Sequence, residues 1–136
     1  MANRWILKSE PSTYSHGDLL RDRSTVWDGV RNAAALIHIR AMSRGDLAMI
    51  YHSGAEKAVI GLATVASDPY PDPTAGDPRW AVVKLAADRA LAAPVALATI
   101  KADPAFADLG LVRISRLSVM PVSATQWRRI LSLGER

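Results

Sequence analysis

Two tryptophans stand where an apolar face would not place them. Trp27 lies between Val26 and the turn-forming pair Asp28-Gly29, and Trp80 closes a proline-rich stretch. An aromatic face in such a position can hold a planar base, at ~1 to 3 kcal/mol per stacked base. Core packing accounts for a tryptophan as readily, and it suits Trp5 and Trp127, which fall on a strand pattern and a capped helix. Polar clusters adjoin these aromatics: Lys8-Ser9-Glu10 ends the first strand, Arg31-Asn32 follows Trp27, and Tyr51-His52-Ser53 ends another strand. Flat faces for the ring and a few directed donors and acceptors for its edge are what base readout requires. Helix capping and strand-end polarity also account for Asn32 and Ser53.

Catalysis finds fewer carriers. The chain has no cysteine, so disulfides, thiolate metal sites and thiol nucleophiles are excluded. No Walker loop, dinucleotide fingerprint, nucleophile elbow or His-Glu-x-x-His occurs. His16, His38 and His52 lack the short spacings of a metal site, and no cofactor is expected. Glu10 and Asp28 are the carboxylates available for acid–base work. An enzyme that processes a modified nucleotide through Asp28 or Glu10 is therefore the rival to a binding protein, and a protein-interaction module with a vestigial pocket is a third reading.

Seventeen basic residues against thirteen acidic ones give a net charge of +4. Thirteen of the basic residues are arginine, whose planar fork pairs with phosphate and guanine edges. Arginine-favouring codons explain the same bias, so charge alone does not choose.

These residues need elements to position them. A chain of 136 residues makes about one domain. No stretch approaches the ~20 apolar residues of a membrane span, and the N-terminus lacks the ~7 to 15-residue apolar run of a signal peptide. A cytoplasmic monomer with no membrane partner is expected. Trp5 to Lys8 reads as a strand, and Ser15 caps a short helix closing at Asp22 or Arg23. Asn32 caps a second helix with Leu36, Ile37 and Ala41 on one face. Strands follow at 47–51 and 59–65, joined by a hairpin loop over 53–56. The prolines at 69, 71, 73 and 78 forbid regular ladders from Ser67 to Arg79. Trp80 opens a strand to Leu85, residues 95–102 read as a helix, and 116–120 as a strand stopped by Pro121. Ser123 and Gln126 form a capping box for a last helix, stopped by Gly134. Short strands and helices without βαβ alternation predict an α+β fold, a small curved sheet or partial barrel flanked by helices.

The motifs Trp5-Ile6-Leu7-Lys8-Ser9-Glu10-Pro11 with Tyr14-Ser15, Trp27-Asp28-Gly29-Val30-Arg31-Asn32, Gly45-Asp46-Leu47, Tyr51-His52-Ser53, Tyr70-Pro71-Asp72-Pro73 and Arg116-Leu117-Ser118-Val119-Met120-Pro121-Val122 resemble, in order, those of the EVE domain family. The resemblance covers Trp5 to about Leu131. It implies a PUA-like fold related to YTH domains, and a domain that binds modified bases in DNA or RNA without enzymatic activity. By similarity to YTH domains, Lys8, Ser9 and Trp27 border the base pocket, and Trp80 or Tyr70 supplies a second aromatic wall. On this reading Ser9, Asn32 and Ser53 bond the base edge, Lys8, Arg31 and Arg116 contact phosphate, and Asp28, Tyr51 and His52 complete the surroundings. The sequence departs from the family pattern at Ala33-Ala34-Ala35-Leu36-Ile37, where a polar run is common, and at Gly54, where asparagine is common.

Overall fold

The computed structural model describes residues 2–135. Its sheet runs in the order β2-β6-β4-β3-β1-β7, formed by Ser24–Trp27, Ala81–Ala96, Ala58–Val65, Leu47–His52, Arg4–Ser9 and Val119–Pro121. A two-residue strand, β5 (Tyr70–Pro71), pairs with the start of β6. β1 and β3 are parallel, and the other pairings are antiparallel. Five short helices flank the sheet: α1 (His16–Asp22), α2 (Ala33–Ala41), α3 (Leu97–Lys101), α4 (Gly110–Arg113) and α5 (Ala124–Gly134). The expected α+β class with an open curved sheet is what the chain adopts.

The apolar runs of β1, β3 and β4 become central strands, and Ile6, Leu7, Met49, Ile50 and Val59 are fully buried. Curvature enters between β4 and β6, whose register slips on both sides of Gly61. Glycine is required there: an added Cβ would lie 2.3 Å from Cε1 of His16, whose ring packs flat against the strand. Leu36 and Ile39 of α2, Ile100 of α3, Phe106 and Ile130 of α5 close the core.

Helix starts follow the sequence closely. Ser15 and Ser123 each make a reciprocal capping box, with Asp18 and Gln126, and the Asn32 side chain accepts from the amides of Ala34 and Ala35. The buried face of α2 is Ala35, Leu36 and Ile39, whereas Ile37 is 62% exposed, contrary to the expected grouping. At about 100° per residue, Ile37 points away from the Leu36–Ile39 line.

Other expectations need correction. Trp27 ends a strand, β2, rather than sitting on a turn, because its segment pairs through backbone bonds that leave no apolar period. The proline-rich segment does carry a ladder, Tyr70 opposite Val82 and Pro71 opposite Ala81, at a strand edge where a missing amide is harmless. β6 begins at Ala81, since Trp80 is held in a turn by its amide bond to the Asp77 carbonyl, and it continues through Pro94 to Ala96. The helix expected over 95–102 is confined to Leu97–Lys101. Arg116 and Leu117 lie in a turn before β7, and the 3-10 turn Pro104–Phe106 and α4 have no clear periodic signal.

Candidate functional site

β1 and β2 are far apart in the sheet order, yet the ends of both open on one cavity of about 500 Å³. Lys8, Ser9 and Glu10 come from the end of β1, and Thr13 and Tyr14 from the turn after it. Thr25, Val26 and Trp27 come from β2, with Asp28, Gly29 and Val30 beyond, and Ser118 precedes β7. β2 and β7 are the two edges of the sheet, so its curl brings both edges to one opening. Gly29, at φ +76°, lets the chain reverse after Trp27 and return along the cavity wall.

Trp27 is 9% exposed and packs with the core on one side while lining the cavity on the other. Its ring meets Tyr14 edge-on, at 6.4 Å between centroids and an 80° interplanar angle. Two aromatic side chains thus border the space, and Val26 adds an apolar surface that is 39% exposed.

The polar groups of the lining differ in how far the protein satisfies them. The Ser9 hydroxyl donates to the Tyr14 carbonyl and fixes the turn that carries Tyr14. Lys8 Nζ donates to the Ser115 carbonyl at 2.9 Å and stands 5.8 Å from the Tyr51 ring centroid. Burial pushes its ammonium below the ordinary lysine range. The Glu10 carboxylate accepts from the hydroxyl and the amide of Ser12, and these bonds hold it below the usual carboxylate range. Asp28 is exposed on the cavity wall and enters none of the hydrogen bonds or ion pairs of the described residues.

The remaining sequence-predicted residues lie outside this lining. Tyr51 and His52 are buried behind it. His52 Nε2 accepts from the His16 amide at 2.9 Å, which puts its proton on Nδ1, 3.0 Å from a Glu56 carboxylate oxygen. It clasps β3 to the start of α1. The Ser53 hydroxyl turns to the Ser9 carbonyl, and Asn32 is occupied as a helix cap. The Arg31 guanidinium sits over Trp80 at 4.7 Å, with Arg79 also over that ring at 5.3 Å. Tyr70 borders a separate shallow hollow with Arg40, Pro69, Pro71, Pro78 and Ala81. Arg116 is exposed in the turn between Ser115, the acceptor of Lys8, and Ser118 of the lining.

Sequence reasoning missed Tyr14, Thr13, Thr25, Val26 and Ser118 as wall residues. Tyr14 had a usable signal, since it stands in the same motif as Lys8-Ser9 and a short turn must bring it back beside them. Thr25 and Val26 had none without the pairing of β2 to β6. Among the described residues, no group of three or more His, Cys, Asp or Glu side chains is placed to hold a metal, and no helix is long and apolar enough to cross a membrane.

An open curved sheet whose two edges converge on an aromatic-walled cavity defines a small α+β ligand-binding domain. The chain belongs to the EVE domain family, which it matches over residues 3–133. It is 28% identical to human thymocyte nuclear protein 1, covering 100% of this chain and 76% of that protein. The zebrafish (Danio rerio) counterpart is 30% identical over 96% of this chain and 71% of its own length. Among solved structures, a Rhodopseudomonas palustris protein is 41% identical with a TM-score of 0.92, over 98% of this chain and 93% of that one. Human THYN1 protein in complex with 5-methylcytosine-containing DNA is 28% identical with a TM-score of 0.89, covering 99% of each chain. The ASCH protein from Zymomonas mobilis, at 10% identity and a TM-score of 0.60, shares the fold alone.

Proposed function

We propose that this protein binds DNA carrying a modified base, 5-methylcytosine in the first instance, and seats that base in the cavity between the ends of β1 and β2. The observation that carries the reading is the Trp27-walled cavity of about 500 Å³ in a chain that aligns over 99% of its length with a relative crystallised on 5-methylcytosine DNA. The volume lies in the ~300 to 1,000 Å³ range of small-molecule sites, so an extruded base enters without enlarging it. Trp27 and Tyr14 offer apolar surface to the ring and its methyl group, and Lys8, Ser9 and Asp28 face its polar edge. Arg116 at the mouth suits a phosphate contact, which positions the strand without reading its sequence.

Binding rather than catalysis is the reading the carboxylates favour. Glu10 and Asp28 line the same cavity, which is the arrangement an acid–base enzyme would use. Glu10, however, is committed to Ser12 with its proton affinity held down, the opposite of a general acid poised near neutral pH. Anisotropy titrations of matched strands carrying cytosine or 5-methylcytosine at one position, in DNA and in RNA, test the proposal. A preference of about tenfold for the methylated DNA strand is expected from methyl burial combined with aromatic contact. Equal affinity for all strands refutes base reading, and turnover of the modified strand that disappears in Asp28→Asn or Glu10→Gln refutes the non-enzymatic assignment.

A further inference from the structure

A methyl-reading pocket meets a competitor in every DNA. Thymine carries the same methyl group at the same ring carbon as 5-methylcytosine, so an apolar wall that detects the methyl accepts both. The two bases differ at position 4, an amino donor in one and an oxo acceptor in the other, and in whether N3 accepts or donates. Discrimination therefore has to come from a polar group whose hydrogen-bonding sign suits one and opposes the other.

The cavity holds several polar side chains, but their capacities differ. Ser9 uses its proton on the Tyr14 carbonyl and Tyr14 donates its own to Asp22, and the remaining hydroxyls of Thr13, Thr25 and Ser118 rotate to donate or accept. Hydroxyls of that kind match an amino or an oxo group. Lys8 donates only, which suits the acceptors O2 and N3 of cytosine but also O2 and O4 of thymine. Glu10 is an acceptor, yet the Ser12 amide and hydroxyl hold its carboxylate. Asp28 remains: a carboxylate that accepts only, exposed on the wall directly after Trp27, with no partner among the described residues.

We propose that Asp28 is the specificity residue of this site, its carboxylate accepting the 4-amino hydrogen of 5-methylcytosine and repelling the 4-oxo group of thymine. The proposal rests on the base-reading function above and adds the class of base admitted, a methylated pyrimidine with an exocyclic amine. A carboxylate oxygen that takes the N3 proton of thymine lies between the two ring carbonyls that flank it, so thymine satisfies the group less well than an exocyclic amine does. Its position in the chain fits the role, since Gly29 at φ +76° turns the backbone immediately after it and no group among the described residues bonds its carboxylate. An unpartnered acceptor of this kind rejects a ligand that lacks the matching donor more strongly than an apolar wall rejects a changed methyl.

The test uses duplexes identical except at one position X, placed opposite an abasic site so that no base pair has to be broken to extrude cytosine, 5-methylcytosine or thymine. Wild type is expected to bind X = 5-methylcytosine about tenfold more tightly than X = thymine. An asparagine amide can present either its oxygen or its NH₂ to position 4, so Asp28→Asn is expected to narrow that ratio to within about threefold, chiefly by gaining affinity for thymine. Asp28→Ala is expected to lose affinity for 5-methylcytosine without gaining any for thymine. An Asp28→Asn protein that keeps the wild-type ratio overturns the proposal while leaving base reading intact. Wild-type protein that binds all three duplexes equally removes base reading itself, and this proposal falls with it.

Discussion

The chain contains two tryptophan–aspartate associations with opposite fates. At Trp5 the indole Nε1–H donates to Asp46 at 2.9 Å, and the same carboxylate accepts from the amides of Asn3 at 3.1 Å and Ser43 at 2.9 Å. Asp46 is 3% exposed and fully engaged, so it ties the start of β1 to the turn before β3. At Trp27 the neighbouring Asp28 is exposed, lines a cavity and has no partner among the described residues. Identical residue types stabilise the fold in one place and leave an open acceptor beside a cavity in the other. What separates them is whether the protein satisfies its own polar groups, because a saturated carboxylate has nothing left to offer a ligand.

The contrast breaks first under alanine substitution of the two aspartates. Asp46→Ala leaves the buried Trp5 indole and two part-buried amides without their acceptor and is expected to destabilise by about 2 to 3 kcal/mol, read as a lower urea midpoint. Asp28→Ala should stay within about 0.5 kcal/mol of wild type in the same assay. A large loss at both sites would mean that Asp28 also has a structural task.

Trp27 stands between these extremes. It belongs to the core on one side, so Trp27→Ala is expected to cost about 3 kcal/mol of stability in addition to affinity. Trp27→Phe retains most of the packing, and the preference for 5-methylcytosine over cytosine should fall in that variant while its unfolding midpoint shifts less. A still smaller effect is expected at Arg31→Ala, which removes one cation–π contact from Trp80. About 0.5 to 1 kcal/mol of stability is at stake, with the base preference unchanged, since Trp80 lies outside the cavity lining. Loss of preference in Arg31→Ala would restore Trp80 as a wall of the pocket.

The smallest effect concerns pH. The Asp18 carboxylate is held below its usual range, first by the Ser15 amide and then by the Ser15 hydroxyl and Arg21. The folded state thus binds that proton less readily than the unfolded chain. Its stabilising contribution is present at neutral pH and is lost as the pH falls below about 4, through the range where the folded state is protonated. Urea midpoints of wild type and Asp18→Asn should differ at pH 7 and converge at pH 3.

Much of this was legible in the chain. Caps at Ser15, Asn32 and Ser123 announce themselves because each depends on residues two or three places away. Lys8, Ser9, Trp27 and Asp28 were marked by type and by motif, and the structure brings these four to one cavity. The second aromatic was not legible. Trp80 and Tyr70 follow in the right order, but Tyr14 stands edge-on to Trp27 because of a turn fixed by one serine hydroxyl. β2 escaped notice for a related reason: it pairs by backbone with β6, nearly sixty residues on, and its side chains alternate without an apolar period. Long-range closure, which makes the cavity, leaves no local trace.

The central claim is that a methylated base enters beside Trp27 and not elsewhere. Its most direct test follows the indole N–H resonances of Trp5, Trp27, Trp80 and Trp127, assigned by single phenylalanine substitutions, while a 5-methylcytosine strand is titrated against its cytosine counterpart. The account predicts the largest shift at Trp27 with the methylated strand, a weaker one with the unmodified strand, and an unmoved Trp5. A shift at Trp80 with Trp27 unchanged would place the nucleic acid on the proline-rich loop and contradict the account.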